Sequence, residues 1–123
     1  MLNLNSIMLG SENPKALADF YGQLLEKDKP DMEDGSFTGY LAGNCFISIG
    51  QHDAVKGKSQ NPERIIYFFE TSDVKGEFAR ICKIAGATVV KAPYSPDPNG
   101  KFMLATLADP DGNYFQLASP WDQ

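Results

Sequence analysis

Histidine is almost absent from this chain: one, His52, in 123 residues. Sites that hold zinc or a first-row transition metal draw on imidazole, thiolate and carboxylate ligands, so the shortage disfavours a histidine-built metal centre. Cysteine is nearly as scarce. Cys45 and Cys82 are the two, each within an apolar periodic segment, and both are expected as buried, reduced thiols. No apolar run approaches the roughly 20 residues of a membrane-spanning helix. Met1–Gly10 shows neither a basic start nor a long apolar stretch, so a secretory signal is not expected and a cytoplasmic location is. Basic residues are outnumbered, 11 Lys and Arg against 16 Asp and Glu, for a net charge of −5. Such a surface repels phosphate backbones and anionic lipid, which argues against nucleic-acid and membrane partners. There is no glycine-rich phosphate loop and no convincing pairing of nucleophile with base.

The composition that remains, 42% hydrophobic and 22% charged, is that of an ordinary globular protein. The length suits one domain, residues 1–123, with one real core. Asn13-Pro14 is an N-cap followed by proline at the first helical position, and Leu17, Phe20, Tyr21, Leu24 and Leu25 then recur at helical spacing. The charged run 26–34, broken by Pro30, ends that helix. A second helix opens at Ser72-Asp73, carries Val74, Phe78, Ile81, Cys82 and Ala85, and stops at Gly86.

Segments rich in β-branched and aromatic residues predict strands over 2–9, 36–41, 45–51, 64–71, 88–92, 102–107 and 113–118, with a weaker one near 31–33. Ala42-Gly43-Asn44 and Asp109-Pro110-Asp111-Gly112 are the turns of two hairpins. The polar stretch 52–63 connects two halves. Both halves run strand, helix, then two or three strands, with helix starts near Pro14 and Val74 about 60 residues apart. The reading is an α+β fold of two tandem β-α-β-β-β modules, approximately 1–55 and 62–120.

Asn13–Tyr21, "NPKALADFY", Glu70–Ala87, "ETSDVKGEFARICKIAGA", and Leu107–Leu117, "LADPDGNYFQL", together with this element order, resemble the vicinal oxygen chelate superfamily. That group includes glyoxalase I, bleomycin-resistance proteins and extradiol dioxygenases. The likeness covers essentially the whole chain. It implies a curved mixed sheet with helices on its convex side and a pocket on its concave side. It also implies homodimers, with pockets lined from both subunits.

Strand alternation divides the residues between two faces. Ile7, Leu9, Ile47, Ile49, Ile65, Tyr67, Phe69, Phe115 and Leu117 form an apolar set suited to a helix-packed face. Leu4, Ser6, Met8, Phe46, Ser48, Arg64, Ile66, Phe68, Tyr114 and Gln116 form a mixed set suited to an organic ligand. A second packing face or a dimer contact would show the same mixture. In metal-using relatives four positions on the concave face supply His, Glu or sometimes Gln to a divalent ion. The flanking motifs place those positions at Ser6, Ser48, Ile66 and Gln116. Ile66 has no donor atom, the serine hydroxyls are weak neutral ligands, and the Gln116 carbonyl alone is plausible. Neither a metal nor any other cofactor is expected. His52 and Glu70 lie four residues beyond these positions and read as solvated or capping groups.

The resulting expectation is a metal-independent binder of a small organic ligand, of the bleomycin-resistance type. Phe46, Phe68 and Tyr114 are its stacking walls, Ser48 and Gln116 its polar contacts, and Arg64 a rim cation. Trp121 covers a pocket mouth or a dimer seam, or simply anchors the surface. The alternatives are a lyase, isomerase or dioxygenase resembling glyoxalase I, and a non-catalytic structural or regulatory module whose concave face a partner closes.

Overall fold

The computed structural model describes residues 1–121, which form two compact units, one spanning Met1–Gly57 and the other starting at Lys58. The first contains β1 (Ser6–Ser11), α1 (Pro14–Leu24), β2 (Met32–Asp34), β3 (Phe37–Ala42) and β4 (Cys45–Gln51). The second contains β5 (Tyr67–Glu70), α2 (Val74–Ile81), β6 (Thr88–Tyr94), β7 (Leu104–Ala108) and β8 (Tyr114–Ala118). Their sheets have the same order, β1-β4-β3-β2 and β5-β8-β7-β6. In each the first and last strands of the module pair in parallel and the others antiparallel. This is the duplicated β-α-β-β-β unit of an α+β protein. The strands lie in two four-stranded mixed sheets, one in each unit.

Local chemistry explains the elements. Asn13 accepts a hydrogen bond from the Ala16 N–H and leads into Pro14 at the start of α1. Of the two residues able to cap α2, Asp73 does so, accepting from the Gly76 N–H at 3.0 Å. Each helix lays one apolar face on its own sheet. Leu17, Phe20, Tyr21 and Leu24 are buried from α1, with Ile47, Ile49 and Tyr40 beneath them. Val74, Ile81 and Ile84 are buried with Leu107, Phe115 and Leu117 in the second unit. Rings of Tyr67, Phe69 and Phe115 pack edge-to-face or stacked at 5.7–6.4 Å.

The hairpins form as read. Gly43, at φ 60°, turns the chain between Ala42 and Cys45. In the second hairpin the Asp109 carboxylate, 2% exposed, accepts from the backbone N–H groups of Asp111 and Asn113 and from the Asn113 amide. Asp109 therefore shapes the turn, as its position suggested.

Five elements have boundaries that differ from expectation. Strand β1 starts at Ser6 because Leu2 and Leu4 are exposed, with no sheet partner. Strand β5 starts at Tyr67. Pro62 and Glu63 sit in a turn closed by the Arg64 N–H donating to the Asn61 carbonyl, so Arg64 and Ile65 fall in the bend that follows. Ile65 is 76% exposed rather than packed under a helix. Helix α2 ends at Ile81, where i→i+3 bonds such as Ile84 N–H to the Ile81 carbonyl tighten the chain. The register of burial thus passes from Ile81 to Ile84 and leaves Cys82 outside. Strand β7 starts at Leu104, after Phe102 and Met103. Strand β6 runs to Tyr94 as an irregular edge, the place where Pro93 is tolerated.

Candidate functional site

Each sheet keeps one face under its helix and one face open, and of the pocket residues read from the sequence Ser6, Phe46, Ser48, Phe68, Tyr114 and Gln116 lie in strands on the open faces. In the first unit Ser6 pairs with Phe46 and Met8 with Ser48, and Ser48 in turn pairs with Gly39. Residues in register point to the same side, so these side chains share a face. The Phe46 ring lies over Gly39, where any Cβ would collide with it and meet the Met32 methyl. The Phe37 ring lies over Gly50 in the same way. Glycine at 39 and 50 is therefore required by the close approach of two rings, and these rings pave that part of the face. His52 sits over Gly10, its Nδ1 accepting from the Ala54 N–H at 3.1 Å, which makes it a turn cap.

In the second unit Phe68 pairs with Gln116, and Gln116 pairs with Thr106. The Gln116 amide donates from Nε2 to Thr106 Oγ1 at 3.1 Å, while its buried Oε1 has no hydrogen-bond partner among the described residues. Turning the amide over would exchange the two ends without satisfying both. Tyr114 shares this face, half-buried, two residues before Gln116. Ile66 is half-buried immediately before β5, and Arg64 is exposed in the bend, outside the strand.

A cavity of about 510 Å³ opens at the other end of this face, lined by Phe68, Glu70, Phe102, Leu104, Ala118, Ser119 and Trp121. The register Glu70–Ala118–Leu104 forms its floor. Phe102 and Trp121 stack at 5.8 Å between ring centres, 27° from parallel. Two hydrogen bonds place them: Met103 N–H donates to Ser119 Oγ and Ser119 N–H to the Met103 carbonyl. Of these lining residues Phe68 was among the pocket residues read from the sequence, and a pocket mouth was one of the places expected for Trp121. Glu70 carried a signal, since it has the strand parity of Phe68. Phe102 carried none, because its place depends on a contact made outside the strands.

Can the open faces hold the divalent ion that the superfamily uses? The four matching positions offer two hydroxyls, one amide and the hydrocarbon of Ile66. Ser6 already donates to Asn5 Oδ1 at 2.9 Å. Among the described residues no three His, Cys, Asp or Glu side chains are grouped closely enough to hold an ion. The residues present do not fit the metal. Cys45 is half-buried and Cys82 exposed, correcting the expectation of two buried thiols, and local desolvation pushes the Cys82 thiol up from its usual range, toward the poorly nucleophilic form.

Residues 6–118 match the glyoxalase-like domain family, and the chain belongs to that family within the vicinal oxygen chelate superfamily. Solved structures share the fold. A glyoxalase-related enzyme from Fulvimarina pelagi superposes with a TM-score of 0.77 at 20% identity, covering 98% of this chain and 89% of the other. A glyoxalase/bleomycin resistance protein/dioxygenase family enzyme from Burkholderia phytofirmans PsJN gives 0.76 at 20% identity, with 96% and 98% covered. Lactoylglutathione lyase from Agrobacterium tumefaciens gives 0.68 at 16% identity, with 95% and 92% covered. No curated protein matches the sequence.

Proposed function

We propose that this glyoxalase-like chain is a metal-independent binder of a small organic molecule. The carrying observation is the donor set, Ser6, Ser48, Ile66 and Gln116, at the four positions where metal-using relatives place their ligands. One of these is a hydrocarbon, and the remaining three are neutral oxygen groups that bind a divalent ion weakly. The unpartnered end of the buried Gln116 amide supports the same reading, since a buried polar group without a partner favours a ligand that supplies one. Phe46, Phe68 and Tyr114 offer apolar contact on the same faces, and Ser48 a hydroxyl. Arg64, exposed in its bend, serves as a rim cation that meets an acidic group of the ligand.

The reading extends to a homodimer, as the superfamily resemblance implies, which sedimentation of the purified chain would show as twice the monomer mass. The principal test is a thermal-shift screen of organic cations, planar heterocycles and aromatic metabolites in buffer containing a chelator. At least one class should raise the melting temperature with the chelator present, and Phe68→Ala should weaken that hit about tenfold or more while leaving the circular dichroism spectrum intact. A hit abolished by the chelator and restored by a divalent ion would overturn the proposal in favour of glyoxalase-type metal chemistry.

A further inference from the structure

The cavity in the second unit has a distinctive chemistry. Among the described residues three aromatic rings and one carboxylate border it, and no lysine, arginine or histidine does. Two of the rings present open surface, with Phe68 58% and Trp121 79% exposed. Glu70 is exposed at the end of β5, and among the described residues no hydrogen bond or ion pair engages its side chain. Ser119 Oγ is already occupied by the Met103 N–H, so the Glu70 carboxylate is the free polar group of the wall. The nearest basic candidate by sequence, Lys101, lines an adjoining hollow with Asp97, on the far side of the shared Phe102, Ser119 and Trp121.

We propose that this cavity binds a small organic cation, an alkylated or protonated amine, and the proposal rests on the small-molecule reading above. Aromatic faces attract a positive head group through the ring quadrupole, and the attraction strengthens as water is excluded. A carboxylate at the same wall neutralises the charge. A neutral ligand would stack equally well on the rings but would desolvate Glu70 with nothing in return, and an acid would be repelled. The volume, about 510 Å³, lies in the range of small-molecule pockets. Ala118, 6% exposed, opposes Glu70 with a single methyl and leaves the floor clear for a bulky head group. The net charge of −5 further favours a cation approaching from solution.

The test uses choline and its uncharged carbon isostere, 3,3-dimethylbutan-1-ol, titrated in chelator-containing buffer. Calorimetry and the fluorescence of Trp121, the one tryptophan of the chain, are the two readouts. Choline should bind at least about tenfold more tightly than the alcohol and should perturb Trp121 emission. Glu70→Gln, a change at an exposed side chain that leaves the sheet intact, should remove most of that preference. Phe102→Leu should weaken choline by a similar factor.

Equal affinity for cation and isostere would overturn the cation assignment while leaving a small-molecule site in place. Calorimetric binding with no response from Trp121 would move the ligand elsewhere and overturn it too. If neither probe binds, the cation proposal falls, and the wider thermal-shift panel decides separately whether any small molecule is bound.

Discussion

Two residues show how closely side-chain choice follows backbone geometry in the first module. Glu26 follows the C-cap of α1 with φ 56°, the left-handed region that glycine enters without penalty. It stays there because its N–H bonds the Gln23 carbonyl and the Lys27 N–H bonds the Gly22 carbonyl, the pair of bonds that closes a helix end. Glu26→Gly should therefore stabilise the chain by about 0.5–1 kcal/mol, read as a higher denaturant midpoint. Gly22 has the opposite constraint: a Cβ there would sit 2.7 Å from the buried Tyr40 hydroxyl. Gly22→Ala should destabilise by roughly 1–3 kcal/mol, and adding Tyr40→Phe should recover part of it. Tyr40 also titrates late, because burial and then the nearby carboxylates push its phenol above the usual value. Neither constraint was legible in the sequence. Gly22 lies within α1, and its contact with Tyr40 exists only once α1 lies across β3.

At the scale of elements the signals were mostly local, and where they were local the sequence was a good guide. Caps, prolines and the two turn motifs place the helix starts and the hairpins directly, since each satisfies hydrogen bonds within a few residues. The Asp109 turn is the clearest case. Asp109→Ala would strand the part-buried N–H groups of Asp111 and Asn113, and a loss of about 1–3 kcal/mol in chemical denaturation is expected. Strand ends were less legible. Arg64–Ile66 has the composition of a strand, but the turn at Pro62 ends the pairing, which begins only at Tyr67.

A longer-range tie joins the segment that follows α1 to β3, because Asp31 Oδ2 accepts from both Lys27 Nζ and the Leu41 N–H. The Lys27 hydrogen bond, with that from Leu41, holds the Asp31 carboxyl below its ordinary value of 3.8. A depressed folded-state pKa contributes stability above the unfolded value, and that contribution is lost as pH falls through the folded one. Asp31→Asn should consequently flatten the acid limb of the stability curve below about pH 4 and leave its slope near neutrality unchanged.

For the molecule as a whole, the repeat was legible in the order of elements alone, and the two sheets reproduce it strand for strand. The flanking motifs also pointed to the four positions, Ser6, Ser48, Ile66 and Gln116, on which the metal-independent proposal rests. The aromatic and acidic cavity was not legible, because Phe102 and Trp121 lie outside the strands and come together through Met103 and Ser119. The chain keeps the fold of its family, and the central proposal is that it works without the ion. Equilibrium loading measures this directly. The protein is incubated with excess zinc, manganese or nickel, freed of unbound ion by gel filtration, and assayed for metal by mass spectrometry. The account predicts a small fraction of one equivalent per chain for every ion, and one tightly held equivalent would contradict it.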